Sequence, residues 1–491
     1  MQEQNIKNSQ INPIQGLSKL WTRIHLVCIL LIGFFFQQCS SDRDTVAEFG
    51  NKKITLPEFR QAYLNVLKQP NAYDSKELRE NFLDELINRR LVAARASAEG
   101  LDEEERFLYT VRAYEDKCLR DAHYEHVIKP QITIDTKLVK QVYAYSTQQR
   151  EVFHLFVTSK SQADSLYQLL QQGAEWNRLA KDIFENQILA ESGGYLGWVY
   201  WDQMEYDLAL AVFSQKLNSF SDPVKSSFGY HILLVTDFQY TPLISEDDFH
   251  LKKRATQKIL EQKIGDRIAN EYITKRMSEV KIQIYPQTLR RVGEHLKAVI
   301  SRQPSAFDQA REMQLQPEEI QSLTNDLWED RHEILVLIDS QEYTVGQFIF
   351  QLNFVPYQAV YQSLKTALDY AIRDFVLTRE ARQMNLQEKD QHVMLKTNLY
   401  REFLLHLDFR RKLARQARVT ELQVYNYYDR NKDGIYRGMD YPQVRNDIET
   451  FLQQETSRIS VVEFIQKARN EQTIRKNMAL LHSYYDNIKQ N

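Results

Sequence analysis

One order of elements occurs twice in this chain and is interrupted only in its first copy, which constrains the fold more than any other feature. A strand-like stretch, Val46 to Phe49, meets a turn at Gly50-Asn51, and Ile54-Thr55-Leu56-Pro57-Glu58-Phe59 then opens a helix. Thr55 stands where an N-cap belongs, with Glu58 three residues on at capping-box spacing. Helical patterns follow over Leu78 to Glu99, ending at Gly100, then Glu103 to His126 and Asp135 to Ser146. The opening returns as Leu335 to Ile338 followed by Tyr343-Thr344-Val345-Gly346-Gln347-Phe348, displaced by 289 positions. Leu91 to Leu101 returns as Val376 to Leu386, and Ile134 to Tyr143 as Val419 to Tyr428, both displaced by 285. Each copy closes on a long amphipathic helix, Asp247 to Val280 and Gln443 to Ile488, the second expected to break near Ser457. Shared helical periodicity is the competing explanation, and the common order of four elements favours duplication.

Between Tyr143 and Asp247 the first copy holds about a hundred residues of another character, where the second runs almost directly from Tyr428 into its closing helices. The expected organisation is a leader over 1–38, a helical module over 45–148, an inserted domain over 149–240 and a returning helix over 241–285. A polar helical connector over 286–330 and a second helical module over 331–491 complete it. At 491 residues the chain exceeds what one core supports, so two to four domains are expected. Only 14 Gly and 11 Pro favour much helix and short loops. The expected class is α+β: a mostly helical scaffold with one small antiparallel sheet surrounded by helices in the insert.

A net charge of −3 gives no basic excess to drive phosphate binding, which argues against nucleic acid as a partner. Three cysteines make neither a disulfide framework nor a zinc pattern, so no metal or cofactor is expected. Cys118 reads as a small buried residue of a helix. Asp429-Arg430-Asn431-Lys432-Asp433-Gly434 with Asp440 has calcium-loop spacing, but aspartate stands where a bidentate glutamate is needed, and an Asn/Asp/Gly turn explains it equally well.

Lys19 and Arg23 precede an apolar run from Ile24 to Phe36, too short to span a bilayer and of secretory-signal form. The cysteine that follows at once, in Cys39-Ser40-Ser41-Asp42, resembles a bacterial lipoprotein signal, which implies lipid on Cys39 and a membrane anchor. Phe36-Gln37-Gln38 lacks the small residues usual before such a cysteine. An ordinary signal peptide, or an uncleaved anchor with an incidental cysteine, is the alternative.

The insert carries the chemistry. Val152-Phe153-His154-Leu155-Phe156-Val157 is strand-like, and Ser161 to Gln172 is an amphipathic helix ending at Gly173. After a second short helix come Gly193-Gly194-Tyr195-Leu196-Gly197-Trp198, then Gln203-Met204. The stretch closes with Pro223-Val224-Lys225-Ser226 and Phe228-Gly229-Tyr230-His231-Ile232. These separated motifs, in this order and spacing, resemble the parvulin family of peptidyl-prolyl isomerases over the whole insert. The flanking helical modules look like those of the SurA and PrsA envelope chaperones, over roughly residues 45 to 285.

The resemblance implies catalysis of cis–trans exchange at X–Pro bonds in unfolded, exported proteins within a bacterial envelope. It places His154 and His231 as facing histidines with the Ser226 hydroxyl beside them. Leu196 and Met204 line an apolar cup for the proline ring, Phe213 lies behind them, and Phe228 belongs to the same substrate-binding group. Two positions depart from the pattern. Gln187, or Asn186 if the loop shifts by one, stands where an acid or cysteine is usual, and Leu208 stands where an aromatic completes the cup, with Tyr206 a partial replacement. A non-catalytic holdase with a degenerate peptide-binding module is therefore the second reading, and oligomeric state is left open.

Overall fold

A computed structural model describes residues 44–240, 246–300, 313–416 and 418–488, so the leader and Cys39 lie outside the described residues. The first copy opens with the hairpin β1 (Thr45–Phe49) and β2 (Lys52–Thr55), turned at Gly50 with φ +56°. Then come α1 (Leu56–Leu67), α2 (Lys76–Ala98), α3 (Glu105–His123) and α4 (Thr136–Ser146). The insert supplies β3 (Gln148–Val157), α5 (Lys160–Gln171), α6 (Trp176–Ile183), α7 (Gln187–Glu191) and β4 (Tyr195–Tyr200). It ends with α8 (Tyr206–Ser214), β5 (Ser219–Phe220), β6 (Val224–Lys225) and β7 (Tyr230–Tyr240). The long α9 (Glu246–Met277), β8 (Ile282–Ile284), α10 (Pro286–Val299) and α11 (Pro317–Asp326) lead to the second copy. That copy is β9 (Ile334–Ile338), β10 (Gln341–Thr344), α12 (Val345–Gln351), α13 (Leu364–Gln383) and α14 (Gln391–Gln416). It finishes with α15 (Glu421–Asn431), α16 (Tyr441–Asn470), β11 (Ile474–Lys476) and α17 (Met478–Ile488).

The copies agree in local chemistry as well as in order. Thr55 and Thr344 both close capping boxes, with Glu58 and Gln347, and so satisfy helix-end N–H groups at equivalent positions. Gly100 (φ +78°) and Asn385 (φ +62°) both take the left-handed conformation that ends a helix and restarts the chain. Asp135 and Thr420 cap α4 and α15, each accepting from the backbone three residues on.

The strand pairing regroups the expected modules. A two-stranded hairpin leaves an open edge of N–H and C=O groups that must find a partner. β1 takes β11 in the register Phe49↔Ile474, Glu48↔Arg475, Ala47↔Lys476. β9 takes β8 in the register Ile338↔Ile282, Leu337↔Gln283, Val336↔Ile284. Phe49 and Ile338 occupy equivalent repeat positions, so the registers are identical and each hairpin binds the closing strand of the other copy. The compact units accordingly run to residue 108 together with 398 onward, and from 109 to 397.

In the first unit Phe49, Phe59, Tyr63, Leu83 and Ile87 form the core beneath β1, joined by Ala468 and Leu481. The expected break at Ser457 is absent, since α16 is continuous and the chain turns instead at β11. Ser457 is buried and its hydroxyl donates to the Arg410 carbonyl of α14 at 2.7 Å. In the second unit the segment read as a polar connector is helical but contributes core. Val292 and Leu296 of α10 and Leu323 of α11 are buried with Leu335 of β9 and Phe348 of α12.

The insert is an antiparallel sheet ordered β4-β3-β7-β5, with β6 also on β7. Adjacent residues of β7 serve opposite faces, as strand geometry requires. Ile232 packs with Leu155, Leu166 and Leu179 beneath α5 and α6. Leu233 packs with Trp201, Val212 and Phe213 on the other face, where α4 (Val142) and α9 (Leu260, Ile264) complete the same core. Helices of the scaffold thus close one face of the inserted domain.

Candidate active site

His154 and His231 stand on neighbouring strands, with His154 opposite Leu233 and His231 opposite Phe156. They are therefore diagonal neighbours on one face, within reach of each other. Their Nδ1 atoms are 3.1 Å apart, and His231 Nε2 is 2.9 Å from Ser226 Oγ. Ser226 Oγ also accepts from the backbone N–H groups of Phe228 (3.1 Å) and Gly229 (3.3 Å), which fixes the loop before β7. The imidazoles are boxed by aromatic rings, His154 against Phe184 at 5.5 Å and His231 against Phe156 at 4.9 Å.

Burial in this box lowers both histidine pKa values to about 4, and at His154 the neighbouring His231 adds to the effect. Both rings are neutral at pH 7, so the line Ser226–His231–His154 holds dipoles rather than charge. Two tautomer patterns fit it. Either Ser226 donates to His231, which donates to His154, or the donors run the other way and Ser226 donates to the Gly229 carbonyl. His154 Nε2 is buried with no protein partner in either pattern.

Glycines make the close approach possible. At Gly194 (φ +74°) a Cβ would lie 1.9 Å from the His154 carbonyl oxygen, and the Gly194 carbonyl accepts from His154 N at 2.8 Å. At Gly229 (φ +156°) a Cβ would lie 2.5 Å from the Val157 carbonyl. Any side chain at either place would push apart the strands that carry the histidines.

The predicted cup residues divide into two groups. Leu196 is 40% exposed, Met204 is half-buried and Phe228 is 77% exposed, so these three present apolar surface. Leu208 and Phe213, at 8% and 2%, belong to the core behind them. Tyr206 is buried in that same core. Gln187 is not brought into the histidine line. It is exposed, and its amide donates to Glu191 at 2.7 Å, one turn along α7, while Asn186 caps that helix. Here the short helix fixes the side-chain direction, which spacing alone does not report.

A groove of about 650 Å³ runs from Met204, Ser226 and Phe228 to Ile259, Lys263 and Asn270 of α9. The sequence pointed to neither Glu205 nor Lys263. Glu205 accepts from Ser227 N at 3.0 Å and from its hydroxyl, and so anchors the residue next to Ser226. Lys263 lies outside the motif-bearing segment, and only the tertiary fold brings it here. Elsewhere, Asp429 lies in the last turn of α15 paired with Lys432 at 2.8 Å, and Asp440 closes a capping box on α16. Among the described residues no group of three or more His, Cys, Asp or Glu is placed to hold a metal.

Residues 143–239 match the PPIC-type PPIase domain, and residues 13–110 match the SurA-like N-terminal domain. The foldase protein PrsA of Caldanaerobacter subterraneus subsp. tengcongensis is 24% identical over 297 residues, covering 52% of this chain and 97% of that protein. The foldase protein PrsA of Bacillus subtilis is 32% identical over 139 residues, covering 28% of this chain and 45% of that protein. Among solved structures, a SurA-like chaperone from Campylobacter jejuni is 21% identical with a TM-score of 0.24, covering 49% of this chain and 100% of its own. PrsA from Bacillus subtilis gives 22% identity and a TM-score of 0.18, covering 49% of this chain and 93% of its own. Residues 143–239 are therefore a PPIC-type peptidyl-prolyl isomerase domain, residues 13–110 match a SurA-like N-terminal domain, and the chain is similar to the PrsA foldases.

Proposed function

We propose that this protein is an extracytoplasmic foldase that catalyses cis–trans exchange at X–Pro bonds of exported chains. The observation that carries the reading is the neutral Ser226–His231–His154 line, whose Ser226 opens on the groove lined by Met204 and Phe228. Amide resonance sets a rotational barrier of about 18–20 kcal/mol, while cis and trans X–Pro differ by only about 0.5–1 kcal/mol. No bond needs to break, and the catalyst must hold the twisted amide better than either planar form. Twisting removes conjugation and with it part of the carbonyl's negative charge. Taking the bond out of water into an apolar cup therefore disfavours the planar forms more than the twisted one. Leu196, Met204 and Phe228 supply the cup. The uncharged histidines supply adjustable donors and acceptors without fixing the carbonyl in one orientation.

The test is proline-limited refolding with the full chain. Acceleration is expected, and His231→Ala should reduce kcat/KM by about tenfold or more. An unchanged refolding rate with wild-type chain rejects the enzyme reading. Leu208 as a buried aliphatic residue and the outward-turned Gln187 favour the second reading, a holdase that binds proline-containing segments without turning them over. Suppressed client aggregation without acceleration identifies it.

The same proposal places the protein at a membrane through lipid on Cys39, since a doubly acylated N-terminus anchors stably where a single chain does not. Labelled fatty acid should enter the wild-type chain, and Cys39→Ala should release it into the soluble fraction. Label retained by Cys39→Ala rejects this anchor.

A further inference from the structure

α9 lies outside the matched domain, yet it reaches the rim of the cup. Lys263 Nζ donates to the Asp202 carbonyl at 3.0 Å and to the Met204 carbonyl. One turn on, Arg267 pairs with Asp207 at 3.2 Å and lies 5.0 Å from the centre of the Tyr206 ring. Asp202, Met204, Tyr206 and Asp207, which flank Glu205, are thus held by two cations of one helix face. From that loop the contacts continue inward. The Glu205 carboxylate takes the Ser227 N–H and hydroxyl, Ser226 bonds His231, and His231 bonds His154.

The helix that supplies these cations is itself fixed on its other side. Gly265 faces Tyr124 so closely that a Cβ would lie 2.1 Å from the phenol oxygen. Further along, Tyr272 donates to Glu380 of α13 at 2.8 Å, and Arg276 bonds the same carboxylate. Glu380 also receives His123 of α3 at 3.3 Å. A rigid scaffold element therefore sets where the backbone of Met204 and Glu205 stands.

Resting on the isomerase reading above, we propose that Lys263 is a positioning residue for the reaction, acting through the Met204–Glu205 backbone, so that the scaffold helix completes the isomerase site from outside its domain. Met204 touches the proline ring in both planar and twisted forms, so its displacement weakens uniform binding and raises KM. Glu205 steadies the histidine line, which acts on the amide as it twists, so its displacement lowers kcat. Lys263 governs both.

The experiment uses the full chain with Lys263→Met, Lys263→Gln and Lys263→Arg, measuring kcat and KM for an X–Pro peptide alongside the thermal midpoint. Lys263→Met is expected to lose about tenfold in kcat/KM, shared between a higher KM and a lower kcat. Lys263→Gln, with one donor left, should fall between, and Lys263→Arg, able to reach both carbonyls, should recover most of the activity. If Lys263→Met does not fold, the Gln and Arg variants carry the comparison. Activity within twofold of wild type in Lys263→Gln and Lys263→Met overturns the proposal, as does a loss that tracks only the fraction folded. A wild-type chain without isomerase activity overturns the function reading instead, which keeps the two failures apart.

Discussion

Two helix pairs related by the repeat, α4–α9 and α15–α16, differ in what joins them. In the second pair residues 432–440 close the hairpin, and Val424, Val444 and Ile448 form a small core between its helices. In the first pair a whole domain stands in that place. It fits because its ends lie side by side, with Gln148 paired directly to Tyr240 across β3 and β7. A domain that leaves where it enters can replace a tight turn without prying the helices apart. The helices have nevertheless changed partners. Val142, Leu260 and Ile264 face Phe213 and Trp201 rather than only each other, so the interrupted hairpin and its insert share one core.

The largest expected effect tests that sharing. Phe213→Ala removes a fully enclosed ring and should destabilise the isomerase domain by about 3–5 kcal/mol and abolish turnover. Ile448→Ala, in the small core of the uninterrupted hairpin, should lie nearer about 2 kcal/mol and leave isomerisation unchanged. Chemical denaturation with an activity readout checks both, and equal effects on activity would break the contrast.

The next largest is a pH response that the interrupted hairpin gains with its insert and the uninterrupted one lacks, because α15 and α16 contain no histidine. His154 and His231 have folded pKa values of about 4, below the ordinary 6.5, so the unfolded chain takes up protons first. Stability is complete above pH 6.5 and falls as pH drops from there toward 4, by up to about 1.4 kcal/mol per pH unit for each histidine. Trp176, Trp198 and Trp201 lie in the insert and report its denaturation midpoint by fluorescence. A midpoint that is flat between pH 6.5 and 4.5 contradicts the neutral pair. The smallest effect concerns what the copies share. Thr55→Ala and Thr344→Ala should each cost about 1 kcal/mol, and a clear inequality would mean that the two capping boxes are not equivalent.

The sequence was most legible where chemistry is local. The Thr55 cap, the Gly100 helix end and the glycine-bearing parvulin motifs follow from residue types at fixed spacing, and the repeat offsets carry the first two to Thr344 and Asn385. The exchange of closing strands was not legible. Ile282-Gln283-Ile284 and Ile474-Arg475-Lys476 are three-residue strands whose pairing is decided by which open edge they meet. Ser457 looked like a helix break because its bond to Arg410 joins segments remote in sequence. In the site, His154, Ser226 and His231 could be expected together from their motifs. The direction of Gln187 depends on α7, and the reach of Lys263 depends on how α9 packs.

The exchanged strands also impose a timetable on a chain that emerges from its N-terminus. β1 appears early, but its partner β11 arrives only near residue 474, so the first hairpin waits for almost the whole chain. The unit from 109 to 397 is contiguous and meets every one of its own strands before then. Because domains fold as units during synthesis, this unit can be complete while the chain is still being made. The isomerase domain can thus form before the protein that carries it has closed, because the pairing of β1 with β11 spans more than four hundred residues and must wait for them.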